Sequence, residues 1–252
     1  MAPRRMKVAA ASIGCVFALA LVALFAIRHS ASVHAQSAAG AGAPTVKITA
    51  PTNGSMYNWN TLVHYRIVVT YQGKSTEYQE LPSNQVLLTA TYIPDLSKVA
   101  GEPASAAGPP PPGLLDIIRS NCLGCHQFKA KATGPSFAAI AGRYPESQAT
   151  VDLVSRNIRN GSAGAWGQES MPPHPELSED QAHAIALWIL KNATNPNVSY
   201  YAGTEGAIRM EGPGTPDAKG GMMLSASYTS PAPDTKAGKA AYGEDTAMVH
   251  GK

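Results

Sequence analysis

The chain has 252 residues, of which 44% are hydrophobic and 15% charged, with 23 Gly and 20 Pro. That is ordinary globular material, enough for one large domain or two small ones with much loop and linker between them. Twenty basic residues stand against 17 acidic ones. Four of the basic residues (Arg4, Arg5, Lys7 and Arg28) and none of the acidic ones precede residue 36, leaving 16 against 17 beyond it. The basic balance therefore belongs to the N-terminal segment, which excludes a nucleic-acid-binding surface on the rest. Cys122 and Cys125 are the only cysteines after Cys15, which excludes a disulfide framework.

Residues 1–35 read as a targeting segment. Arg4, Arg5 and Lys7 precede the uncharged, largely apolar run Val8 to Ile27, and Val33-His34-Ala35 offers small residues at a cleavage site. The run is also about long enough to span a bilayer, so cleavage after Ala35 and retention as a membrane anchor both stand. In either case the basic flank keeps the N-terminus in the cytoplasm and delivers the remainder to the periplasm. Cys15 lacks the residues expected before a lipid-modified cysteine and reads as filler.

Residues 36–44 form an Ala/Gly/Pro linker, and 99–112, ending in four consecutive prolines, form a second. Residues 45–98 between them have strand character. Thr45 to Ala50, Leu62 to Tyr71 and Val86 to Ile93 are the candidate strands, and in the second Val63, Tyr65, Ile67, Val69 and Tyr71 share one face. From 113 to 195 the periodicity is helical, through Leu114 to Ile118, Val151 to Ile158 and Ala182 to Leu190, the last preceded by a Ser178-Glu179-Asp180-Gln181 capping box. Over 196–252 strand character returns at Met222 to Thr229 and Thr246 to His250. Three strands alone would leave two sheet edges uncovered. The five strands are therefore expected to make one β-sandwich interrupted by the helical segment, the competing reading being a loose tail rich in Ala, Pro and Lys.

The chemistry lies in Cys122-Leu123-Gly124-Cys125-His126. Two thiols at this spacing reach the two vinyl groups of one haem edge, and the adjacent imidazole falls beneath the iron. A zinc site would need two further ligands, and a thioredoxin-like motif would need a βαβ pattern; neither is evident. Thr133-Gly134-Pro135, Asn160 to Gly167 and Met171-Pro172-Pro173 follow in order. With the C-x-x-C-H run they make residues 113–195 resemble the small bacterial class I cytochromes c, over about a third of the chain.

The resemblance implies an all-α domain holding one covalently attached haem c through Cys122 and Cys125. It implies His126 and Met171 as the two axial iron ligands, the Pro135 carbonyl as acceptor for the His126 ring, and Trp166 as donor to a haem propionate. Among other side chains, His174 and His183 are the alternative sixth ligands, and Met56, Met222, Met223 and Met248 lie on strand segments. Many relatives carry Asn three residues past the methionine, where this chain has His174. Trp188 is expected to pack on the first helix near Leu114 and Ile118.

The fold class that follows is multidomain: an all-α class I cytochrome c domain inserted in, or appended to, an immunoglobulin-like or PKD-like β-sandwich. The function that follows is single-electron transfer without catalysis. A peroxidase or nitrite reductase asks for a second haem or an open iron position, and a gas sensor asks for a labile Met171. The expected partners are a periplasmic sugar or alcohol dehydrogenase and a respiratory-chain acceptor, a fold-level analogy. Seven basic and seven acidic residues in 113–195 leave no charge signature for the partner.

Overall fold

The computed structural model describes residues 42–99, 108–214, 219–231 and 240–252, all within one compact unit. The targeting segment, with Cys15, lies outside the described residues. Among those described, no helix is long and apolar enough to cross a membrane.

The chain begins with strands β1 (Thr45–Ala50), β2 (Met56–Tyr57), β3 (Leu62–Tyr71), β4 (Lys74–Ser75) and β5 (Val86–Ile93). Helix α1 (Pro112–Arg119), α2 (Phe137–Arg143) and α3 (Gln148–Asn160) follow, then the short antiparallel pair β6 (Ser162–Gly164) and β7 (Gly167–Met171), then α4 (Glu179–Asn192). Four more strands close the chain: β8 (Val198–Ala202), β9 (Glu205–Arg209), β10 (Gly221–Thr229) and β11 (Tyr242–Gly251).

The strands before and after the helices belong to the same two sheets. One runs β2-β11-β10-β5-β8; in the other β3 is flanked on one side by β1 and on the other by β9 and β4. The alternation in β3 buries Val63, Tyr65, Ile67 and Val69. Facing them from the other sheet are Leu88, Ala90, Met222, Leu224, Ala226, Tyr228, Ala247 and Val249, in one shared core. The two sheets are also tied by the Ile48 amide, which donates to Asp245 Oδ2 at 2.8 Å. The tail is thus the centre of a sheet rather than a loose appendage, because β10 pairs along its length with both β5 and β11.

The expected five strands are corrected in number. β8 and β9 are an additional hairpin whose arms join different sheets, β8 pairing with β5 and β9 with β3. It supplies the outer strand that the edge argument demanded, from a segment with weak strand signal.

The helices bury a second core containing Leu114, Ile117, Ile118, Phe137, Val154, Ile158, Ile185 and Ile189. Helix α4 starts with the expected capping box, Ser178 accepting from the Gln181 amide while the Gln181 side chain accepts from Ser178 N. Gly113 lets α1 approach α4 closely, since a Cβ there would lie 2.2 Å from the Ala184 carbonyl oxygen. Trp188 shares this core with Leu114 and Ile118, as expected, its Cβ lying beside Gly113 of α1, and its ring also packs on Tyr200 of β8 (centroids 5.2 Å apart) and tilts toward Phe128 (6.3 Å).

That aromatic group sits where the helices meet the sheet. Phe128 and Tyr200 pack edge to face at 4.9 Å, and Leu87 of β5 belongs to the helical core. Arg119 Nη2 donates to the Ser230 carbonyl at 2.9 Å, and Lys129 Nζ donates to the Pro196 carbonyl at 2.8 Å. Because buried aromatic contacts and charge-assisted hydrogen bonds both resist displacement, the helical part is seated on the sheet at several points rather than tethered by linkers alone.

Candidate functional site

Helix α1 ends at Arg119, and the C-x-x-C-H run begins on a separate 3-10 turn, Cys122–Gly124. Asn121, in the left-handed region at φ 55°, makes the break between them. The turn closes on itself, because the Cys125 and His126 amides both donate to the Cys122 carbonyl, at 3.2 and 2.9 Å. Cys122 is half-buried and Cys125 is exposed.

The loop after the motif folds back over His126. Gly134 N donates to the Cys125 carbonyl at 2.9 Å, and the next carbonyl, Pro135 O, lies 2.8 Å from His126 Nδ1. Proline at 135 removes a backbone donor and stiffens the acceptor's position. With Nδ1 engaged, Nε2 is the nitrogen left for a ligand. Phe137, which α2 presents from below its Ser136 cap, stacks on the imidazole at 5.5 Å and 12°. Burial lowers the His126 pKa, the Pro135 hydrogen bond works the other way, and the charge of His174 adds to the lowering. The ring is therefore held neutral, the form that binds a metal. Burial likewise pushes the Cys122 thiol up to about 11, keeping it protonated.

Gly134 is the tightest point in this arrangement: a Cβ there would lie 2.5 Å from His126 Cε1. Gly134→Ala is accordingly expected to rotate the imidazole off the Pro135 carbonyl. Holoprotein yield should fall severalfold, and the ferric spectrum of what forms should change, whereas Gly142→Ala, with open space around it, should be neutral.

The β6–β7 pair brings the other predicted residues to the same place. Met171 ends β7 opposite Ser162, and Gly161 at φ 78° passes so close that a Cβ would lie 2.7 Å from the Met171 carbonyl oxygen. Trp166, in the turn between the two strands, lies under the Arg143 guanidinium (4.7 Å to the ring centroid) and meets Tyr144 edge to face at 6.2 Å. Arg143 Nη1 also donates to the Ala165 carbonyl at 2.5 Å. His174, three residues past Met171, is oriented by Glu176, with Nδ1 2.8 Å from Oε1. His183 lies elsewhere, its Nε2 3.3 Å from Gln148 Nε2.

All six predicted residues, Cys122, Cys125, His126, Pro135, Trp166 and Met171, line one cavity of about 270 Å³. Its walls are otherwise largely apolar, with Phe137, Ile140, Val154, Ile158, Ile185 and Ile189 among them. Two thiols, a neutral imidazole with one free nitrogen and a thioether in an apolar cleft make a donor set suited to a covalently attached haem. Sequence reasoning missed Phe137, Arg143 and Tyr144. Their only sequence signal is position: Phe137 comes two residues after Pro135, and Arg143-Tyr144 close the helix it opens.

Residues 116–193 match the sequence profile of the family described as cytochrome c. Cytochrome c-552 of Nitrosomonas europaea is 39% identical over 72 residues, which are 29% of this chain and 70% of that protein. Cytochrome c-551 of Allochromatium vinosum is 31% identical over 83 residues, 32% of this chain and 88% of that one. The crystal structure of wild-type Nitrosomonas europaea cytochrome c552 is 37% identical and covers 30% of this chain and 93% of its own, with a TM-score of 0.29.

Proposed function

The chain belongs to the cytochrome c family, and from that premise we propose that it is an exported monohaem cytochrome carrying single electrons between a periplasmic dehydrogenase and the respiratory chain. Haem c, covalently bound with its iron, comes with the family, and the single C-x-x-C-H run sets the number at one. When bound, this group supplies a one-electron iron couple.

The protein's own residues do the rest. Cys122 and Cys125 carry the thioether bonds. His126 ligates through Nε2, oriented by the Pro135 carbonyl and backed by Phe137. Met171 supplies a neutral, weakly donating sulfur that favours ferrous iron and raises the potential. Trp166, with Arg143 over its ring, donates to the propionate side. The observation that carries the reading is the convergence of these residues on one apolar cavity, with His126 Nδ1 held 2.8 Å from Pro135 O.

For the rest of the chain we propose export through residues 1–35, a haem domain over 113–195, and an immunoglobulin-like or PKD-like sandwich built from 45–98 and 196–252. Seven strands of five or more residues, paired with one another antiparallel in two sheets around one core, support the sandwich assignment. Its role is to dock the partner dehydrogenase, which pull-down from periplasm followed by mass spectrometry would identify.

The test of the central reading is chemical. Protein matured with the c-type haem machinery should keep its haem through acid-acetone extraction and give a haem-stained band in a denaturing gel. Cys122→Ala/Cys125→Ala should lose both. Haem that extracts freely from the wild type would refute covalent attachment.

A further inference from the structure

Six methionines lie among the described residues, and they fall into three settings. Met171 lines the haem cavity, Met210 and Met222 are buried in the sandwich core, and Met56, Met223 and Met248 are in neither place. Core methionines are ordinary gap-fillers; the last three need another account.

The register puts all three on the outer face of one sheet. Met222, Leu224, Ala247 and Val249 face the core, so the alternation turns Met223, Met248 and His250 outward. Met223 stands directly opposite Met248 across the β10–β11 pair. His250 is two residues further along β11 on the same face, and Met56 of β2 is its partner on the other side. Tyr57, next to Met56, packs on the core, which confirms Met56 as outward. Directly opposed residues hold their Cβ atoms about 4.5–5.5 Å apart and diagonal ones about 7–8 Å, so the thioethers of Met223 and Met248 and the imidazole of His250 share one patch, while Met56, separated from Met223 by β11, stands at its rim beside His250. Met223, Met248 and His250 are half-buried, while Met56 is 59% exposed and leaves the patch open to solvent.

We propose that Met223, Met248 and His250 form a binding site for a single cuprous ion, with Met56 at its rim. Thioethers are soft, neutral donors, and with one imidazole they select monovalent copper over zinc or hard divalent ions. No group of three His, Cys, Asp or Glu side chains that would hold a harder metal exists among the described residues. The site is separate from the haem cavity, none of whose lining residues it shares.

Holoprotein, full length and reduced with ascorbate under anaerobic conditions, should take one Cu(I) per chain from the chromophoric Cu(I) chelator bathocuproine disulfonate. Copper-edge X-ray absorption should show sulfur and nitrogen scatterers together. Met248→Leu and His250→Asn should each weaken binding by at least about tenfold, and Met56→Leu/Met223→Leu should do the same. Met222→Leu should retain the wild-type affinity. Unchanged haem absorbance and circular dichroism establish that the outward-facing variants are folded. The proposal fails if wild-type holoprotein takes no copper from the chelator. It also fails if folded Met56→Leu/Met223→Leu/Met248→Leu binds copper as the wild type does.

Discussion

Deleting residues 215–252 should unfold the β-sandwich while leaving the haem attached. The deletion removes β10, which pairs with β5 on one side and β11 on the other, and β11 itself. It takes Met222, Leu224, Tyr228 and Val249 out of the core and leaves Val63, Tyr65, Ile67 and Leu88 without the surface they pack on. Each large side chain contributes roughly 1.5–3 kcal/mol by burial. Losing four, with the partners they cover, removes an amount comparable to the whole 5–15 kcal/mol margin of a folded protein. Circular dichroism should show loss of most β-sheet signal, and the β part should aggregate. The proposed iron ligands lie within 113–195, so reduced and oxidised haem spectra should persist. The haem part should nonetheless melt at a lower temperature than in the full chain, because Leu87 and Tyr200 pack on the helical core and Arg119 donates to Ser230. A truncated protein with intact β-sheet signal and cooperative melting would refute the shared core.

Met171→Ala should lower the reduction potential by on the order of 100 mV, within the roughly 0.8 V range that axial ligation spans. The weak sulfur-to-iron band of the ferric spectrum should vanish. Removing the proposed sixth ligand from a half-buried position takes away the donor that favours ferrous iron. His174 gives the experiment a second readout. Glu176 orients it, and its charge is felt by His126. If His174 replaces the lost sulfur, Met171→Ala stays low-spin at a low potential and only Met171→Ala/His174→Ala opens the iron to exogenous ligands. A potential and spectrum unchanged in Met171→Ala would remove Met171 from the iron.

Much of this protein is legible in its residues taken in order. The C-x-x-C-H run, the Gly134-Pro135 loop and Met171-Pro172-Pro173 depend on local spacing, and each is a chemical requirement expressed within a few positions. The strong alternation of β3 and the capping box of α4 are likewise local, because period and cap chemistry are properties of neighbouring residues. β8 and β9 are not legible in this way. Val198–Ala202 shows no clean alternation, since helices cover one face of its sheet and the core lies on the other, and Glu205–Arg209 has one deeply buried side chain, Ile208, among residues of low strand propensity. Their strand character comes from pairing with β5 and β3, which lie more than a hundred residues earlier in the chain.

The same distinction holds at the sites. Which residues are proposed to meet the haem is encoded in motif order, and they line one cavity. That Phe137 stacks on His126, that Arg143 covers Trp166, and that Trp188 also meets Tyr200 of β8 are matters of how helices pack once folded. The methionines mark the limit most clearly. The alternation of Met222, Leu224, Ala226 and Tyr228 already puts Met222 on the apolar face and Met223 on the other, but that Met223 stands beside Met248 follows only from the pairing of β10 with β11. A strand's alternation is a property of neighbouring residues, whereas its partner and register, which bring side chains of distant strands together, are decided only when the sheet forms.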